Sequence, residues 1–153
     1  MQATGVDVLS VLDRVARAME SVAPGLSLTA EVGGQVWLEE ETDNPDGSVE
    51  SSGRGEWVTE LGFAISYRYQ HFSAFSHASA GSERERIQTV ALQLMSNVQD
   101  IVTEITTEPW PLIVVNGRKN MALADAAIEA NDLHMWYGER DAPALRLPSV
   151  HLL

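Results

Sequence analysis

Ser82-Glu83-Arg84-Glu85 opens the segment that most restricts how this chain can fold. A hydroxyl at the cap and an acid three residues on form a capping box, which satisfies orphan amides at a helix N-terminus. Ile87, Val90, Ala91, Leu94, Val98, Ile101, Val102 and Ile105 then recur at three- and four-residue steps, one apolar stripe carried to Thr107. At 1.5 Å per residue such a helix is roughly 37 Å long, enough to cross a β-sheet from edge to edge. Pro109-Trp110-Pro111 stops it. A helix with a single apolar stripe needs a surface to bury it against, so the chain must also supply a sheet with an apolar face.

The stretch 57–69 is the strand that supplies it. Trp57, Leu61, Phe63, Ile65, Tyr67 and Tyr69 point one way, with Thr59 the only soft member. Val58, Glu60, Gly62, Ala64, Ser66 and Arg68 point the other way. The aromatic face could serve as a base-stacking platform, but a core beneath the long helix explains the same residues and is the reading adopted.

The remaining elements are placed by periodicity and turn chemistry. Thr4-Gly5-Val6-Asp7 resembles a second capping box, followed by an apolar stripe of Leu9, Leu12, Val15, Met19 and Val22 that Pro24-Gly25 ends. Alternation over 26–32 predicts a strand, Gly33-Gly34 a turn, and 35–41 a second strand. A loop over 42–56 follows, with turn residues Asn44-Pro45-Asp46-Gly47 and Val49 as its only aliphatic side chain. The stretch 70–81 reads as a loop anchored by Phe72 and Phe75. Beyond the long helix, 112–115 is a short buried strand and Asn116-Gly117 a tight turn. For 121–130 a helix capped by Asn120 is preferred to a hairpin arm turning at Asn131-Asp132. The stretch 133–137 is a strand, and the Pro-punctuated tail from about 140 is extended. The expected architecture is α+β: one domain over 1–153, with an antiparallel sheet of about four to five strands. The long helix packs across one face of that sheet, joined by an N-terminal helix.

Charge is the strongest functional signal. Between Glu39 and Glu60 eight acids (Glu39, Glu40, Glu41, Asp43, Asp46, Glu50, Glu56 and Glu60) face one base, Arg54, a net charge of −7. The whole chain carries −12, which leaves −5 for everything else. Charge this concentrated repels itself and must lie in water or face a cationic partner. The same balance argues against sequence-independent nucleic-acid binding, which needs Lys and Arg. Absence of cysteine excludes disulfides, thiolate metal sites and cysteine nucleophiles. The N-terminal residues lack the basic start and apolar run of a signal peptide, and no apolar run approaches 18 residues. A protein made in the cytoplasm, with no membrane partner, is expected.

Motifs for chemistry are missing. Asn44, Asp46 and Gly47 match positions three, five and six of a calcium-binding loop, but Thr42 and Gly53 stand where its end carboxylates should be. His71, His77, His134 and His151 have no metal-ligand spacing. Ser79 and Ser82 flank Ala80-Gly81 without forming a nucleophile elbow, and no phosphate-cradling glycine motif occurs. Carboxylates in a solvated run are not tuned for acid–base work. The reading is therefore non-enzymatic, with no cofactor, no metal and no catalytic residue.

The order of elements, with Glu39-Glu40-Glu41 followed by Glu56-Trp57-Val58-Thr59-Glu60-Leu61, resembles the small tail-terminator or tail-completion proteins of long-tailed bacteriophages. The likeness covers about Val6 to Ile105, and the Pro-Trp-Pro break and later tail depart from it. It implies a structural subunit forming a closed, commonly sixfold ring at the end of a tail tube, with itself and neighbouring virion proteins as partners. In such a ring Glu39, Glu40, Glu41, Asp43, Asp46, Glu50 and Glu56 would meet cations of a neighbour, for which Arg14, Arg17, Arg84 and Arg86 are the candidates. The alternative is an acidic cytosolic binding module, such as a toxin immunity protein or secretion chaperone, that caps a basic partner.

Overall fold

A computed structural model describes residues 7–76 and 82–153, with backbone alone at positions 40–42, 50–52 and 76. Two helices, α1 (Val8–Glu20) and α2 (Glu83–Thr106), accompany nine strands among these residues. β1 (Leu26–Asp43), β2 (Val49–Tyr67) and β3 (Gln70–Ser76) form an antiparallel meander. β4 (Leu112–Val115) and β5 (Arg118–Met121) form a separate hairpin. β6 (Ala124–Glu129) and β7 (Asp132–Gly138) pair along their length, while β8 (Pro143–Arg146) and β9 (Val150–His151) each pair with part of β7. The α+β class is as expected, but the strands divide among three sheets instead of joining in one.

Both helices pack between the two larger sheets. α2 touches β2 and β3 on one side and β6 on the other, while α1 meets β1, β9 and α2. One apolar core therefore runs through all the layers, from Leu12, Val15 and Met19 of α1 to Phe63 and Ile65 of β2 and Leu133 and Met135 of β7. The stripe on α2 is buried as read, with Met95 added to it and Ile105 only half-buried. Ser82 caps this helix, its Oγ accepting from the Glu85 amide at 3.1 Å. α1 differs at its start: Asp7 is the cap and accepts from the Ser10 amide at 3.2 Å, while Thr4 lies outside the described residues. Leu9 faces solvent, and Val11, Ala16 and Ala18 join the buried face.

Two polar groups tie α2 to the C-terminal part of the chain from within the core. Tyr137 Oη donates to the Met95 carbonyl at 2.8 Å, with its ring edge-on to Trp110. Buried Gln99 donates through Nε2 to the Ala122 carbonyl.

Several expectations are corrected. Gly33-Gly34 is no turn: β1 runs through it with a register shift between Val32 and Gln35. The glycine is needed there because a Cβ on Gly33 would lie 3.0 Å from Glu60 Cβ and 3.1 Å from the Phe75 ring. The stretch 70–76 is a strand, not a loop, reached through a two-residue turn in which Arg68 (φ 46) and Tyr69 (φ 68) both take the left-handed region. Tyr69 is thereby left fully exposed. The stretch 124–129 is strand β6, not a helix, and the turn falls at Ala130-Asn131. β4 is exposed at Leu112, Val114 and Val115, not buried, although Asn116-Gly117 turns as expected. The tail is extended and is held through β8 and β9.

Candidate functional site

The acidic stretch is the outer part of a β-ribbon. β3 pairs with β2 only as far as Leu61, whose partner is Ser76. From there outward, 35–43 of β1 and 49–59 of β2 pair with each other, and among the described residues no third strand joins them. Nine residues at about 3.3 Å each make an arm of roughly 30 Å. The expectation of a loop over 42–56 is therefore corrected: both strands continue through it, and only 44–48 form the turn. A ribbon exposed on both faces needs no apolar alternation, so its composition is as polar as that of a loop.

Arg86 holds the root of the arm, donating from Nη2 on α2 to the Thr59 carbonyl at 2.8 Å. On one face Gln35 Nε2 donates to Thr59 Oγ1 at 2.9 Å. Next along that face, Trp37 and Trp57 sit directly opposite one another, centroids 5.5 Å apart and planes at 64°. Edge-to-face pairs of this kind contribute about 0.5–1.5 kcal/mol beyond area burial. Trp37 lies over Gly55, where a Cβ would come within 2.9 Å of the indole. The pair is still open to water, with Trp57 65% and Trp37 43% exposed. Trp57 thus leaves the core face expected for it: among the described residues no third strand pairs with this part of the ribbon. Val58, of opposite parity, is the buried residue of the two.

Further out, the register shifts between Glu39, paired with Gly55, and Glu41, paired with Ser51. At the tip the Asn44 amide donates to the Ser48 carbonyl at 2.8 Å, and the Gly47 amide to that of Asn44 at 2.9 Å. Asp46 accepts from the Ser48 hydroxyl at 2.6 Å and from its amide at 2.9 Å. The Ser48 hydroxyl foremost, and the amide with it, holds the Asp46 carboxyl below the usual carboxylate range. That carboxylate is turned onto its own loop, as an Asx-turn requires. Glu39, Asp43, Asp46 and Glu56 are exposed along the arm, and the side chains of Glu40, Glu41 and Glu50 lie outside the described set.

The four arginines matched to these acids by sequence bond within the chain. Arg14 donates to the His151 carbonyl, and Arg17 pairs with Glu20 at 2.7 Å and donates to the Leu28 carbonyl. Arg84 donates to Asn131 at 3.1 Å and to the Ala130 carbonyl. With Arg86 at the arm, each ties a helix to a strand or turn.

A second exposed surface went unread in the sequence. The β4–β5 hairpin, with Val114 and Val115 exposed, borders an open cleft of about 640 Å³ lined by Ile113, Val115, Met121, Leu123 and Ala144. The Asn116-Gly117 turn signal would have paired Val115 with Arg118 and Val114 with Lys119, as the structure does. Among the described residues no group of three or more His, Asp or Glu could hold a metal ion. No helix there is long and apolar enough to cross a membrane.

Fold and arm together define an α+β protein that carries an acidic, tryptophan-bearing β-ribbon. Comparison of the chain with protein-family models, curated proteins and solved structures finds no match.

Proposed function

We propose that this chain is a non-enzymatic assembly subunit that associates with copies of itself through the β-ribbon arm. The assembly is a ring at the end of a phage tail tube or at a head–tail junction, a placement that rests on the resemblance in layout. The observation that carries self-association is that, among the described residues, no third strand accompanies the arm beyond Leu61. A two-stranded ribbon is marginal in water without a third strand or a packed face. This one adds a solvent-exposed tryptophan pair and a net charge of −6 over 35–59, seven acids against Arg54. Aromatic residues of this kind are the usual anchors of protein interfaces.

Light scattering and negative-stain imaging of the purified chain test the reading. A discrete ring is expected. Deleting 43–53 should leave the core folded and abolish assembly, and replacing both Trp37 and Trp57 by Ser should do the same. Unchanged assembly of both variants would refute the role of the arm. A stable monomer that binds a basic protein through Glu39, Asp43 and Glu56 would instead support the acidic binding module.

A further inference from the structure

Resting on the arm's role in self-association, we infer that its receptor is the cleft beside the β4–β5 hairpin on a second copy of this chain. The tryptophan pair enters the cleft, and an acid beside it meets Arg118 at the cleft's edge. A receptor for the arm must be apolar enough to cover two indoles and cationic at its border. The cleft supplies the first property: Ile113, Val115, Met121 and Leu123 line it, with Asn120 and Glu139 as its polar members, and its roughly 640 Å³ falls within the ~300–1,000 Å³ typical of sites that bury a whole ligand. Leu123 is 77% exposed, so this surface is itself left uncovered.

The second property follows from where the chain's cations are engaged. Arg14, Arg17, Arg84 and Arg86 bond within the fold. Arg68 stacks on Tyr67, and Arg140 pairs with Glu129 and covers Trp136. Arg146 donates to the Arg140 carbonyl, and Arg54 has an interaction of its own. Among the described residues only Arg118 has a guanidinium with no such partner. Its neighbour Lys119 pairs with Glu108 at 3.3 Å. Arg118, opposite Val115, shares the face of the cleft wall, whereas Lys119, opposite Val114, stands on the other face of the hairpin.

Arm and cleft are different surfaces, so the contact is head-to-tail. Such contacts close into a ring when the rotation between copies allows it.

The test uses the full chain and two surface variants, each first checked for an unchanged thermal melt. The arm variant carries Trp37→Ser and Trp57→Ser. The cleft variant carries Leu123→Glu and Arg118→Glu, both at exposed positions. Each alone should be monomeric by sedimentation velocity. Mixed together they should form a 1:1 complex and nothing larger, because one intact arm and one intact cleft remain. Arg118→Glu alone should weaken wild-type association at least tenfold, and Glu56→Arg added to it should recover part of that loss. A cleft variant that assembles like wild type overturns this inference and leaves the arm's role standing. An arm variant that assembles like wild type, or a wild type that stays monomeric, overturns both.

Discussion

Tyr137 offers a test of the core in which two effects of opposite sign can be separated by pH. Its side chain is fully buried and its hydroxyl donates to the Met95 carbonyl at 2.8 Å. Burial pushes the phenol up from its ordinary value of 10.0. Removing the hydroxyl in Tyr137→Phe forfeits one buried hydrogen bond, worth about 1 kcal/mol at neutral pH. Alkali reverses the comparison. A folded-state value above the unfolded one means that the linked stability is complete below the unfolded value and is lost as pH rises beyond it. Above pH ~10 the unfolded chain releases the Tyr137 proton and the folded chain keeps it, at about 1.4 kcal/mol per pH unit. Between pH ~8 and ~11.5 wild type should therefore lose about 2 kcal/mol that the Phe variant keeps. Urea unfolding of both proteins across that range should show wild type more stable by about 1 kcal/mol at pH ~8. The curves should cross near pH ~11, with the variant the more stable above it. Other tyrosines and the basic groups are common to both proteins and cancel. Parallel loss of stability in the two, with no crossing, would refute the claim that this hydroxyl is sealed in the core.

Other positions carry simpler expectations. A Cβ on Gly62 would lie 2.1 Å from the Ala74 carbonyl oxygen, so Gly62→Ala should part β2 from β3 and destabilise by more than about 3 kcal/mol. Gly34→Ala, whose nearest new neighbour is 3.9 Å away, should stay within about 0.5 kcal/mol in the same urea titration. Ser82→Ala removes the cap on the Glu85 amide and should cost about 1 kcal/mol, lowering the melting temperature by roughly 3 °C; an unchanged melt would count against that cap. At the arm tip the depressed Asp46 value means the turn is supported above its ordinary 3.8 and loosens as pH falls below it. The Ser48 amide resonance should report this in acid, and Asp46→Ala should abolish the titration.

The helices were legible because their signals are local. Ser82-Glu83-Arg84-Glu85 and the following stripe concern residues within a turn or two of each other, and α2 begins and ends within a residue of its expected bounds. Strand extents were harder. Arg68-Tyr69 makes a tight turn with neither Gly, Asn nor Asp at its centre, so β3 was hidden behind it. The Ala-rich 124–129 has helical propensity, but its pairing with β7 and contact with α2 outweigh a preference of a few tenths of a kcal/mol per residue.

The candidate site divides in the same way. Where the negative charge collects, and that Asn44-Pro45-Asp46-Gly47 must turn, is decided by composition and by bonds between near neighbours. That Trp37 faces Trp57, that Trp57 lies outside the core its periodicity suggested, and that a cationic hairpin borders an apolar cleft were decided only in three dimensions. Periodicity tells which side chains share a face. What covers that face depends on where distant segments lie, and among the described residues β3 pairs no further than Leu61 while the ribbon runs on.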